Sequence, residues 1–407
     1  MGVRFVLAGL LIFAAVPARH AVGSESARPE EGPFEASHRD GQGYLIDLLR
    51  RYDVEPSSQT LVYSKTSLQT TKINPNNPRA LYFNDDVYIG FVPGGDALEV
   101  MATGPDGAAF FTVSQQPDEP PLLEREHFMC NACHETGRTG NVPGFLTQSL
   151  HVDENGRKIP NSDDLSFFRG RVDHTTPLAE RWGGWYATGL TGDMTHRGNL
   201  MRRGDRLDSG HGGPNTNETD LTWWFDPGKY VTDTADVVAL LVFEHQLTAH
   251  NLMTRATFTT RSRLNNGGYD KDARLSELDA ETAAAIDRQL RPVLEYMLFV
   301  GEADLTDRVV GGSTFAAEFT ARGPFDDEGR TLRAFDLETR MFKHRLSYLV
   351  HSHGFREMPP AALDSFGRQL AEVLAGRDEQ LGNYFTADEA AAIESILRAT
   401  EPGLLPE

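Results

Sequence analysis

Cysteine is nearly absent, with two residues in a chain of 407. That excludes a disulfide framework, and it excludes any four-cysteine zinc or iron–sulphur site within one chain. Positive charge is also scarce. Thirty-nine Lys and Arg stand against 59 Asp and Glu, a net charge of −20, which argues against nucleic acid as a partner over a broad surface. Long apolar runs are missing beyond the N-terminus, so no multi-pass membrane fold is available. No glycine-rich phosphate loop, Ser-His-Asp arrangement or H-E-x-x-H metalloprotease signature is evident. What is present suffices for a sizeable core: 39% of residues are hydrophobic and 9% aromatic. The length fits two to three packed units.

The first residues have the layout of an export signal. Met1 to Arg4 is a short basic start, and residues 5–16 are uncharged and apolar. That stretch suits a signal h-region and is too short to span a bilayer comfortably. Ala21 and Gly23 occupy the −3 and −1 positions of a cleavage site after Gly23. The expectation is a signal peptide over 1–23 and a flexible leader over 24–42. The exported chain is then periplasmic, with no stable membrane span after cleavage; a retained anchor is the alternative.

Residues 43–53 have helical spacing through Leu45, Leu48 and Leu49. Short strand-like runs follow at 81–83, 87–92, 98–100 and 109–113, separated by Asn84-Asp85, Pro93-Gly94-Gly95 and Gly104-Pro105-Asp106-Gly107. A proline-rich break at 117–121 closes this part. Residues 122–231 are dense in Gly, Asn, Asp, Trp and His, a composition that needs something to anchor its loops. Helices are predicted at 233–254, 281–300, 363–376 and 387–399, the last with Thr386 and Glu389 as a capping box. The fold class is α+β: a small N-terminal antiparallel β-rich unit over 43–121, then a loop-rich, mostly α-helical domain over 122–407. The acidic run Asp326-Asp327-Glu328 fits a solvated turn.

Both cysteines lie in Cys130-Asn131-Ala132-Cys133-His134, the C-x-x-C-H sequence of c-type haem attachment. On a helical turn, residues three and four apart share a face. Cys130 and Cys133 can add to the two vinyl groups of one haem c, and His134 can place an imidazole nitrogen on the iron as proximal ligand. The segment 122–407 then reads as a haem c domain. Other readings of the pair are half of a zinc site, a thioredoxin-like redox couple, or a structural disulfide. No second C-x-x-C exists for the first, and no βαβ pattern surrounds the second.

The stretch CNACHETGRTGNVPG is preceded by NPRALYFNDDVYIGFV and followed by RWGGWYATG, THRGN and EHQLTAHN. Together these segments resemble a family of exported bacterial proteins described as cytochrome c domain-containing. The resemblance runs from about Asn77 to the C-terminus. It implies haem and a periplasmic location, and it supplies no reaction. The chain is several times longer than small class I cytochromes c. It has no second haem motif, unlike the di-haem peroxidases and the di-haem tryptophylquinone-forming enzymes.

An electron carrier needs a second axial ligand, whereas a catalyst leaves that position open. His196, in a polar loop after an aromatic cluster, is the first distal candidate. His245, on the helix predicted at 233–254, is the second. Met358 before Pro359-Pro360, His174 and His250 complete the set; each also fits an ordinary structural role. The aromatic turns Trp182 to Tyr186 and Trp223-Trp224-Phe225 fit haem walls or plain core. Arg181, Arg197, Arg202 and Arg203 are candidates to pair haem propionates. The function expected is electron transfer with a redox partner of unspecified kind. A mono-haem, peroxidase-like oxidoreductase with an open distal site is the alternative enzyme reading, and a haem-containing sensor or assembly module is a third.

Overall fold

The computed structural model describes residues 28–160, 172–204, 206–208 and 217–406. The expected signal peptide over 1–23 lies outside the described residues. The chain is α+β, as its pattern predicts. Eight strands form one antiparallel sheet in the order β1-β7-β6-β5-β4-β3-β2-β8. They are β1 (Gly32–Pro33), β2 (Thr60–Val62), β3 (Arg79–Phe83), β4 (Val87–Phe91), β5 (Ala97–Ala102), β6 (Ala109–Ser114), β7 (Leu122–Arg125) and β8 (Trp185–Tyr186). The four predicted strands are its centre. The sheet also passes the proline-rich break, because β7 adds beyond it, and β1 pairs with β7 from within the expected leader.

Alternation along the strands builds two cores on opposite faces. Ala80, Tyr82, Ile89, Phe91, Leu98, Val100, Phe111 and Val113 meet Leu45, Leu48 and Leu49 of helix α1 (Leu45–Arg51). Leu81, Phe83, Tyr88 and Phe110 face the helical layer. That layer is led by the long helix α3 (Val237–Gly267), which follows the four-residue α2 (Asn131–His134). Asp236 caps α3, its Oδ1 accepting from Val238 N at 2.7 Å and Ala239 N at 3.3 Å. The helix runs well past the predicted end at 254. Its second half is polar but keeps a buried stripe at Ala256, Thr257, Thr260 and Leu264, the i, i+3/i+4 spacing that a packed helix needs. Gly268, at φ +73°, ends it in the left-handed region.

Helices α4 (Ala280–Met297), α5 (Phe315–Ala321), α6 (His353–Arg356), α7 (Pro360–Leu374) and α8 (Ala387–Thr400) complete the layer. The predicted capping box of α8 is half formed. Thr386 Oγ1 accepts from Glu389 N at 3.2 Å, but the Glu389 carboxylate pairs with Arg345 instead. Among the described residues, no helix is long and apolar enough to cross a membrane.

Candidate haem site

Cys130-Asn131-Ala132-Cys133-His134 forms one short turn of helix after β7, closed by His134 N–H donating to Cys130 O at 2.9 Å. Both thiols are free; Cys130 is half-buried and Cys133 exposed. The loop after the turn is built by its own side chains. Thr136 N–H donates to Thr139 Oγ1 at 3.1 Å, and Thr139 Oγ1 donates to Val142 O at 2.8 Å. Gly140 takes φ +80° there, which costs glycine no steric penalty. The loop then returns to the histidine. His134 Nδ1 donates to Gly144 O at 2.9 Å, and Gly144 N–H donates back to His134 O at 2.9 Å.

That reciprocal pair fixes the imidazole. With Nδ1–H committed to a carbonyl, the lone pair stands on Nε2, which has no partner among the described residues. Burial holds the ring below its ordinary pKa, against the opposing pull of the Gly144 hydrogen bond, so the neutral form is favoured. The Phe110 ring packs against it, with centroids 4.8 Å apart.

The surroundings of the thiols are apolar and acidic. Phe128 is 90% exposed and Met129 59%. Cys130 is pushed up to about 11, first by burial and then by Glu126 and Glu99. The Cys130 thiol is therefore held in its protonated form. Among the described residues, no set of three His, Cys, Asp or Glu side chains could hold a bare metal ion. The turn thus presents two thiols, one half-buried and one exposed, beside apolar surface, with the His134 Nε2 lone pair next to them.

Arg79 on β3 and Glu99 on β5 also act on the motif. They pair across β4 at Gly90, where a Cβ would approach Arg79 Nη2 to 2.6 Å. The charges of both act on Cys130 and His134, and the buried Nε of Arg79 has no acceptor among the described residues.

Among the described residues, no hydrogen bond, ion pair or ring contact joins a distal candidate to the motif. His196 is buried edge-on to Trp182, with centroids 4.7 Å apart, and its Nδ1 accepts from Gly198 N at 3.0 Å. His245 has both nitrogens engaged, Nδ1 with His174 Nδ1 and Nε2 with Ser347 Oγ, each at 2.8 Å. Its ring stacks on Tyr296 and Phe299. His250 Nε2 donates to Asp85 O at 2.8 Å. Met358 fills the core. Arg181 is buried on His174 O and Thr176 O, both at 2.7 Å, with Glu244 at 3.7 Å. Arg202 and Arg203 are exposed on a separate hairpin.

Sequence reasoning missed Arg79, Glu99 and Gly144, of which only Gly144 had a local signal, as the end of the post-motif loop. Comparisons with family models, with curated proteins and with solved structures find no match to this chain.

Proposed function

We propose that the chain is an exported c-type haem protein working in electron transfer, with one haem held covalently by Cys130 and Cys133. The observation that carries this is the His134 imidazole, fixed by Gly144 O through Nδ1 so that Nε2 is left to ligate iron. Each thiol would add across one vinyl double bond of the haem, sulphur to one carbon and the thiol proton to the other. Arg79, whose buried Nε has no acceptor among the described residues, would be a candidate to pair a haem propionate, beside the Arg181, Arg197, Arg202 and Arg203 that the sequence suggested. Bound there, haem supplies a one-electron ferric–ferrous couple.

Co-expression with a c-type maturation system should give a haem-staining band that survives a denaturing gel. The Cys130→Ala/Cys133→Ala variant should lose it. A colourless wild type containing zinc would overturn the reading. Sequencing of the exported chain should begin near Ser24; Met1 to Gly23 retained in the membrane fraction would indicate an anchor.

The engaged ring nitrogens of His245 remove one distal candidate, and the oxidoreductase with an open distal site stays as the second reading. A ferric spectrum with added cyanide separates the two readings. Rapid binding supports an open site and the oxidoreductase, and inertness supports two axial ligands and electron transfer.

A further inference from the structure

The loop that carries the His134 acceptor is gripped from its far side by a single amide. Asn251 Oδ1 accepts from Phe145 N–H at 2.7 Å, and Asn251 Nδ2 donates to Phe145 O at 2.7 Å. This is the two-point pairing that one strand gives another, made here by a side chain. Gly144 lies directly against it. A Cβ at that position would collide with Asn251 Oδ1 and come within 3.1 Å of Thr139 Cβ. A second tie, Ala108 N–H to Pro143 O at 2.9 Å, holds the same loop to the β5–β6 turn. The path from helix to imidazole therefore runs Asn251, Phe145, Gly144, His134, through backbone groups whose relative geometry is rigid. Its origin is α3, buried around its whole circumference just upstream. Asparagine is a weak former of helix interiors because its amide competes for nearby backbone groups. At position 251 the amide reaches another segment instead.

We infer that Asn251 is a positioning residue for the iron ligand: it sets the strength and direction of the hydrogen bond from His134 Nδ1 to Gly144 O. This rests on the haem reading. A well-held Nδ1–H makes Nε2 a stronger donor, and a stronger donor favours the ferric state. Loosening Gly144 should weaken that bond and favour the ferrous state.

The test compares wild type, Asn251→Ala and Asn251→Gln, each matured with haem. All three should stain for covalent haem, because neither thiol is touched. At fixed ambient potential the Ala variant should show about a tenfold higher ferrous-to-ferric ratio, a midpoint about 59 mV higher. The Gln variant keeps the amide but displaces it by one methylene, so it should move the same way by less. It is read alone if the Ala variant does not accumulate. A lower unfolding midpoint with an unchanged potential and unchanged haem absorption would make Asn251 merely structural and overturn the inference. Absence of stain in the wild type would instead remove the haem reading, and this inference with it.

Discussion

Glu302 has its carboxyl pushed up to about 7, chiefly by burial, although Met341 N–H, Arg181 and Arg340 all favour the charged form. The folded chain therefore keeps a proton that the unfolded chain releases near pH 4.5. Stability present below that pH is lost as pH rises towards 7, by up to about 3 kcal/mol. Glu302→Gln retains an acceptor for Met341 N–H without the charge. Its melting temperature should vary less between pH 5 and 8 and exceed that of wild type at pH 8; parallel curves for the two proteins would exclude Glu302 as the source. Gly90 makes a steric prediction. A methyl group there meets the Arg79 guanidinium where it crosses to Glu99. Gly90→Ala should therefore cost about 1–3 kcal/mol in urea denaturation, by dislodging a buried ion pair. A neutral result would mean that Arg79 has another resting place. Neither effect was legible in the sequence, because Glu302 lies far along the chain from Met341 and Arg181, and Gly90 gains its meaning only between β3 and β5.

At the scale of elements, the start of α3 joins two segments through one carboxylate. Asp236 caps the helix with Oδ1, while Oδ2 accepts from Ser313 N–H at 2.8 Å and from Ser313 Oγ–H at 2.7 Å. Asp236→Ala should destabilise by about 2 kcal/mol or more, the cap plus stranded donors. Asp236→Asn should recover the capping part alone, since its NH2 cannot accept from Ser313. Equal losses in both variants, measured by chemical denaturation, would show that the cap contributes nothing. The strands at the centre of the sheet and the helix positions were readable because period 2 and period 3.6 are local properties. The second half of α3 was not, since only a narrow stripe there is buried. The two-residue strands β1 and β8 carry too few residues to show a period. The capping box of α8 was half right because Arg345, distant in sequence, captures Glu389. At the site, C-x-x-C-H was readable as a spacing. Gly144 as acceptor was not, because a loop had to fold back to bring it there.

At the scale of the whole molecule, one sheet is shared by both cores, and its strands cannot separate without exposing each. Trp182 and Trp185 belong to the core under the helical layer, and Trp224 to the core that includes α1. Far-UV ellipticity and tryptophan emission should therefore follow one urea transition with a common midpoint. Two resolved steps would show that the cores fold separately.

The grip of Asn251 on Phe145 spans 106 positions of chain. Synthesis proceeds from the N-terminus at about 5–20 residues per second, so Cys130, Cys133 and His134 precede that grip by on the order of 5–20 s. During that interval the residues of β2 to β7 have been made, but those of α3 are not yet complete. Order of synthesis thus places the thiols and the imidazole in the chain before the amide that holds their loop.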